Sequence, residues 1–344
     1  MTDMDGPFQV TKPALVLEAR ALSRHFRVGG LRGHTLHAVD EVDLGIAERE
    51  IVALVGESGS GKSTVARLLA MVFRPTSGEI LFRGRPVSSL RRRRQLLAYR
   101  GEVPMVFQDP FSSLNPAHTI GYALLRGLKL HRPDLDRRRR QSEAERVLEV
   151  VGLVPAAFIM SKYPYELSGG QRQRVGFAQA LSYRPKLILA DEPVSMLDVS
   201  IRIGLLNVMA RLREDENVSI LYITHDIASA RYVSDRVLVM YAGHLVEQGP
   251  TDDVLHNPVH PYTRLLLSAV PDPRAEMSVT SADVGEPPRV IDPGEGCRFR
   301  WRCPLATDVC AKVTPRLRSA APGHEAACHV TVPASVPETS GAGR

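Results

Sequence analysis

Gly56-Glu57-Ser58-Gly59-Ser60-Gly61-Lys62-Ser63-Thr64 fits G-x-x-x-x-G-K-[ST], the pattern of a phosphate-binding loop. Ile51-Val52-Ala53-Leu54-Val55 before it reads as a buried strand, and Val65, Leu68, Leu69 and Val72 after it recur at helical spacing. A strand, a glycine loop and a helix start are the context that the pattern needs. Gly56, Gly59 and Gly61 let backbone N–H groups close on phosphate oxygens with no Cβ in the way. The helix start adds a partial positive charge. The chemistry then assigns Lys62 to the β- and γ-phosphates and the Ser63 hydroxyl to Mg²⁺, with Ser58, Ser60 and Thr64 completing the expected nucleotide contacts. A plain glycine turn would require neither the Lys-Ser pair nor both flanks.

The chain has 344 residues, 44% of them hydrophobic, which suits one large domain with an appendage or two domains. No 18-residue apolar run exists, so no segment is expected to span a bilayer. Met1 to Lys12 is polar and acidic, unlike a signal peptide, and the expected location is the cytoplasm. The net charge is +6, with arginine runs at Arg91–Arg94 and Arg137–Arg140. These read first as solvated helix faces, with a nucleic-acid surface or contact with anionic lipid head groups as the other readings. Arg139 and Glu143 stand four apart, the spacing of a helical ion pair.

In chain order, Ala14 to Ala19 reads as a short strand and Leu36 to Ile46 as one or two more, with Ser23-Arg24-His25-Phe26 between them. An aromatic ring just upstream of a phosphate loop is placed to stack on adenine. Phe26 is the candidate and His25 the reserve, against the plainer reading of a core phenylalanine. Glu79 to Phe82 and Pro104 to Phe107 read as strands, and the latter ends at Gln108. Residues 109–116 break regular structure. Thr119 to about Tyr163 reads as helical, with Ala144, Val147, Leu148 and Val151 on one stripe. Leu167-Ser168-Gly169-Gly170-Gln171 opens a helix to about Ser182, with Ser168 as its cap. Lys186 to Ala190 is a buried strand ending in Asp191-Glu192-Pro193, and a helix runs from about Ser200 to Glu214. Ser219 to Thr224 is a strand ending at His225, followed by strands at Arg236–Tyr241 and His244–Glu247. Strands alternating with helices imply a mostly parallel sheet with helices on its faces.

Acids at the end of an apolar strand complete a nucleotide site that begins with a phosphate loop. Asp191 is expected to hold Mg²⁺, and Glu192 to polarise the attacking water as general base. Two acids at a strand end would otherwise cap a helix. Gln108 and His225 each follow a strand and so converge on the same sheet edge. Gln108 is expected at Mg²⁺ and the water, and His225 at the γ-phosphate.

Together these stretches resemble the ATP-binding subunits of ABC transporters. The resemblance covers about residues 14 to 270. It rests on GESGSGKST at 56–64, FQDP at 107–110, LSGGQRQRV at 167–175, LILADEP at 187–193, SMLD at 195–198 and His225. It implies a head-to-tail dimer sandwiching two ATP molecules, each between one subunit's phosphate loop and the other's Ser168, Gly169, Gly170 and Gln171, with Asp198 at the dimer contact. A second helix N-terminus facing the γ-phosphate is physically apt. The sequence is most similar to the oligopeptide/dipeptide and nickel import branch. The marks are Gln108-Asp109-Pro110 with Ser113-Leu114-Asn115-Pro116, Asp191 to Ser195 with Leu197 to Ser200, and His260 to Leu266. It departs from that branch at Met196, where Ala is usual, and at Gly176-Phe177-Ala178-Gln179, where a run such as Ile-Ala-Arg is common. These departures touch the dimer contact and the signature helix, and leave the hydrolytic acids, lysine and histidine in place.

All the cysteines, Cys297, Cys303, Cys310 and Cys328, lie in the tail at C-x5-C-x6-C-x17-C spacing. Disulfides are disfavoured in a reducing cytosol, so a metal site leads, with thiolates suiting iron–sulfur or zinc. The tail is similar to that of the dipeptide-import subunits in Gly296-Cys297-Arg298-Phe299 and Arg302-Cys303-Pro304-Leu305-Ala306. That similarity implies a 4Fe-4S cluster, with Zn²⁺ as the alternative and unliganded thiols as the plain reading. His324 and His329 are candidate outer-shell groups or plain surface residues.

The expected fold is α/β: a P-loop NTPase core, RecA-like, with an antiparallel β subdomain, a helical insert and a small cysteine-ligated C-terminal extension. The expected boundaries are 13–270 for the nucleotide-binding domain, with the insert at about 109–178, then 271–331 for the extension and 332–344 for a disordered tail. The expected function is ATP hydrolysis driving oligopeptide or dipeptide import. The implied partners are two permease subunits, a second ATPase subunit (a heteromer over a homodimer) and, indirectly, an extracytoplasmic solute-binding protein, with no nucleic acid. The implied place is the cytoplasmic face of the inner membrane. Nickel or another small solute is the nearer alternative. A soluble ATPase acting on nucleic acid and a non-hydrolysing binding protein are the other classes.

Overall fold

The computed structural model describes residues 14–29, 33–109, 114–268 and 290–332. The chain opens with β1 (Leu15–Val28) and β2 (His34–Ala47), passes through β3 (Ile51–Val55), and returns with β4 (Ser77–Phe82) and β5 (Arg85–Pro86). A four-stranded antiparallel sheet has the order β2-β1-β4-β5. β3 belongs instead to an eight-stranded sheet with β6 (Met105–Val106), β7 (Leu187–Asp191), β8 (Ser219–Thr224), β9 (Arg236–Tyr241), β10 (His244–Pro250), β11 (Arg318–Ala321) and β12 (His324–Ala326). Its order is β11-β12-β10-β9-β3-β8-β7-β6. The five strands β9, β3, β8, β7 and β6 run parallel, and β10, β12 and β11 pair antiparallel at one end.

Every residue of β3, β7 and β8 is buried. Continuous apolar strands are what a parallel sheet needs when both faces are covered. One face packs against the helices at Gly169–Ser182 and Val199–Glu214, and the other against the Lys62–Leu69 helix and the antiparallel sheet. The parallel order brings the C-terminal ends of β3, β6, β7 and β8 to one edge. Their following residues are the phosphate loop, Gln108, Glu192 and His225.

Several expected elements change shape. Ser23 to Phe26 lies inside β1, because that strand stays paired with β2 across its whole length through register shifts at bulges. The expected helical stretch from Thr119 to Tyr163 divides into Ile120–His131, Arg137–Val150 and Ala156–Ser161. The breaks hold Pro133 and Pro155, which lack the N–H that a helix interior requires. Arg139 does not pair with Glu143. It lies 3.7 Å from Asp136, the cap of its own helix, while Glu143 takes Arg146 at 3.0 Å and Arg146 also reaches Glu216 at 2.6 Å. The tail is more regular than its composition suggests, with a helix at Asp308–Lys312 and the β11–β12 pair. Residues 110–113, 269–289 and 333–344 lie outside the described residues, and with them Pro110 to Ser113, the first part of the expected extension and nearly all of the expected disordered tail.

β12 joins the extension to the main sheet by pairing with β10. At that seam Glu247 is fully buried and accepts from the Val259 and His260 backbone N–H groups at 2.8 and 2.9 Å, with His324 Nε2 at 2.7 Å. His324 is therefore a core residue at 3% exposure, neither a surface group nor one expected from the sequence to hold the tail in place. Removing the carboxylate strands two buried groups, the His260 N–H and His324, each at about 1–3 kcal/mol. Glu247→Ala should lower stability by at least roughly 2 kcal/mol, read from urea unfolding of the whole chain.

Candidate functional site

The loop after β3 is pressed between two backbones. Gly56 (φ +152°) and Gly61 (φ +106°) lie where a Cβ would come within 2.2 Å of the Met240 and Ala38 carbonyl oxygens, respectively. Only glycine leaves room there. Lys62 begins the next helix and is 4% exposed. Its ammonium donates to the Gly56 and Glu57 carbonyls, each at 2.8 Å. Burial pulls its pKa below the usual lysine value, opposed by the charges of Glu192, Asp191 and Glu57. A buried cation ringed by backbone oxygens is suited to an arriving polyanion.

The Ser63 hydroxyl donates to Asp191 Oδ1 at 2.8 Å. Burial raises the Asp191 pKa, partly offset by that hydrogen bond. A hydroxyl beside a desolvated carboxylate is an oxygen set that suits a hard divalent cation. Glu192, the next residue, has a left-handed backbone (φ +46°), pinned by its N–H to the Ile223 carbonyl at 2.9 Å. Strain of this kind in a non-glycine residue persists where the surroundings overdetermine it. It aims the carboxylate at Gln108, whose Nε2 donates at 2.9 Å, and at His225 Nδ1, 3.3 Å away.

Three residues chosen from sequence as catalytic therefore meet at one point. Gln108 lies on Glu192 and Ser195, rather than on the Ser63–Asp191 pair that was to share a metal with it. A cavity of about 1110 Å³ joins these groups to Ser58, Gly59, Gly61, Lys62, Thr64 and Phe26. Phe26 thus faces the cavity, whereas the reserve His25 stacks on His37 and bonds Asp40 at 2.7 Å. Ser60 is buried beneath the loop.

Ser168, Gly169, Gly170, Gln171 and Asp198 do not line that cavity. Ser168 and Gln171 cap their own helix reciprocally at 3.3 and 2.9 Å. Gly169 and Gly170 lie against Leu197 and Ile201, beside the exposed Asp198. Ser168 and Asp198 are exposed there, and Gly170 is buried beneath them.

Sequence reasoning missed a clamp on the phosphate loop. Arg302 donates twice to Glu57, at 2.8 and 2.9 Å, and the Glu57 N–H donates to Tyr262 Oη at 2.9 Å. Arg298 reaches Asp40 and the Ala242 carbonyl. Tyr241, Tyr262 and Phe299 pack as a buried aromatic cluster beneath them. Both arginines were visible beside Cys297 and Cys303, but their carboxylate partners are more than two hundred residues away. No disulfide joins the four cysteines. Cys297 is pushed up to about 11 by burial, with Cys310, Cys303 and Cys328 adding to the rise. The widely spaced cysteines are thus electrostatic neighbours.

Comparison with known proteins agrees with this geometry. A family model described as "ABC transporter" matches residues 39–195, and one described as "Oligopeptide/dipeptide transporter, C-terminal region" matches residues 246–310. The oligopeptide transport ATP-binding protein OppF of Escherichia coli is 45% identical over 286 residues, covering 82% of this chain and 85% of its own. AppF of Bacillus subtilis, named likewise, is 41% identical, covering 92% and 97%. The chain belongs to the ATP-binding subunits of ABC transporters, in the oligopeptide/dipeptide branch. Among solved structures, the MJ0796 cassette dimer in a post-hydrolysis state bound to ADP and Pi superposes with a TM-score of 0.61 at 27% identity, over 68% of this chain and 98% of that one. CbiO1 of Clostridium perfringens gives the same score at 26% identity, over 71% and 92%. This ABC protein is accordingly an ATPase, with ATP as its substrate.

Gly61→Ala tests the cradle without touching a charge. The added methyl meets backbone from β2 and an unfavourable φ. ATP binding should weaken at least about tenfold, as a misfit of about 1.4 kcal/mol or more requires. Equilibrium titration of the whole chain reads it.

Proposed function

We propose that this chain is the ATP-hydrolysing subunit of an importer of oligopeptides or dipeptides, working through separate permease subunits. The observation that carries the catalytic part is the meeting of Gln108, Glu192 and His225 on one side of a cavity whose other side is the Lys62 cradle. Lys62 exchanges its carbonyl partners for β- and γ-phosphate oxygens. Ser63 and Asp191 are the residues that would hold Mg²⁺, which when bound supplies positive charge against the phosphates. Glu192 takes a proton from a water as the water oxygen bonds to the γ-phosphorus. The bond from that phosphorus to the β,γ-bridging oxygen breaks, and the electron pair leaves with ADP. Gln108 orients the carboxylate and the water. His225 contacts the γ-phosphate, and Phe26 stacks on the base.

Ser168, Gly169, Gly170, Gln171 and Asp198 serve a second subunit. Their place outside this chain's own cavity supports a site shared head to tail, with ATP closing the pair and product release opening it. A heteromer with a sister ATPase is favoured over a homodimer, with a solute-binding protein acting at a distance. No described helix is long and apolar enough to cross a membrane. Attachment to the cytoplasmic face through the permeases is part of the importer reading. A second cavity, of about 540 Å³, is lined by Met105, Phe107, Gln173, Gly176 and Gln179. Phe107 is 43% exposed there. The lining also holds Arg100 and Arg172, which suits a permease helix with both apolar and polar side chains, and the departures at Gly176 and Gln179 would then bear on coupling.

The extension, expected at 271–331 after a 13–270 ATPase domain, is proposed to bind a 4Fe-4S cluster through Cys297, Cys303, Cys310 and Cys328. Four cysteine thiols with no other ligand type among them are the donor set that a 4Fe-4S cluster takes; Zn²⁺ is the alternative. The cluster would hold the tail and lies outside the hydrolytic steps.

Two experiments test these assignments. Glu192→Gln should retain ATP binding and lower turnover by about 10²–10⁴-fold; unchanged turnover removes Glu192 from the role of base. Protein purified without oxygen should carry iron and acid-labile sulfide in equal amounts, lost on Cys303→Ser. Zinc without sulfide would reassign the site.

A further inference from the structure

The nucleotide cavity has a wall that does not come from the ATPase core. Val290 and Ile291, from the C-terminal extension, line it alongside Phe26 and Leu36. The segment is tied to β2 at several points. The His37 N–H donates to the Val290 carbonyl and the Asp292 N–H to the Thr35 carbonyl, both at 2.9 Å. The Asp292 carboxylate accepts from the Thr35 N–H at 2.8 Å and lies 2.6 Å from His34 Nδ1.

Register gives this wall its meaning. Phe26 of β1 stands opposite Leu36 of β2, and Leu36 stands opposite Ile291 in an antiparallel bridge. Directly opposed residues in antiparallel pairing point to the same face. Phe26, Leu36 and Ile291 therefore form one apolar row across three segments. Ile291 is 42% exposed although it is held in place by backbone bonds on both sides. Arg24 covers the Phe26 ring at 4.6 Å and Phe73 meets it edge-on at 5.6 Å, so the ring is fixed. The row lies in the same cavity as Lys62, where the triphosphate ends. A flat aromatic base attached to that triphosphate, with faces that stack on apolar side chains, is the ligand chemistry that matches such a surface.

We infer that the C-terminal extension completes the nucleotide site: Ile291, in line with Leu36 and Phe26, packs against the purine base and supplies affinity that the ATPase core alone lacks. This rests on the reading of the cavity as the nucleotide site.

Binding of two probes to the whole chain tests it: a nonhydrolysable ATP analogue, and inorganic tripolyphosphate, which has the charge but no base. Wild type should bind the analogue more tightly than tripolyphosphate. Ile291→Ala should weaken the analogue about tenfold and leave tripolyphosphate unchanged. Ile291→Phe, which keeps a large apolar surface, should restore analogue binding. Wild-type analogue affinity in Ile291→Ala overturns the inference. So does equal loss of both probes, which would mean a disturbed phosphate loop, and so does a wild type that binds both probes alike. A wild type that binds neither probe would instead remove the nucleotide reading itself.

Discussion

A lysine ammonium taken out of water must be surrounded by oxygen, and at Lys62 the fold meets that demand with its own backbone. The Gly56 and Glu57 carbonyls hold the charge, and the acids Glu192, Asp191 and Glu57 offset the cost of its burial. Everything around it follows from keeping those carbonyls and acids in place. β3 must be buried on both faces so that the loop leaves it at a fixed angle. Gly56 and Gly61 must lack a side chain so that β9 and β2 can hold the loop from either side. An ATPase gains from this arrangement because an anion that replaces the carbonyls finds its charge partner already desolvated and aimed.

The parallel sheet turns that single cradle into a reaction site. β3, β8, β7 and β6 are neighbours in that order and share a direction. Residues that directly follow them are brought to one edge whatever their separation in sequence. Gln108, Glu192 and His225 meet there. The strained backbone of Glu192 is the local cost of turning a carboxylate out of a buried strand toward that edge, and the Ile223 carbonyl holds it.

The C-terminal extension is structurally part of the ATPase. β12 lengthens the main sheet, Arg302 grips the phosphate loop through Glu57, and Val290 with Ile291 closes the cavity's apolar side. Arg298 and Arg302 both lie between Cys297 and Cys303, so the contacts to the phosphate loop and the first two thiols share one short segment.

The phosphate loop, the strand-end acids and the signature helix were legible in the sequence because each is local: a few residues carry both the geometry and the chemistry. The same holds for Ser168, whose cap partner is three residues away. β1 was read too short because its continuation depends on β2 rather than on its own pattern, and bulges hide the alternation. Arg139 was paired wrongly because spacing on a helix permits several partners and tertiary packing chooses among them. What the linear order determined by itself is the kind of chemistry: a phosphate-binding loop, a pair of strand-end acids and four thiols. What only tertiary structure decided is which distant groups touch them. Glu57 with Arg302, Glu247 with His324, and Leu36 with Ile291 are joined by sheet pairing and burial, and neither of those has a signature in neighbouring residues.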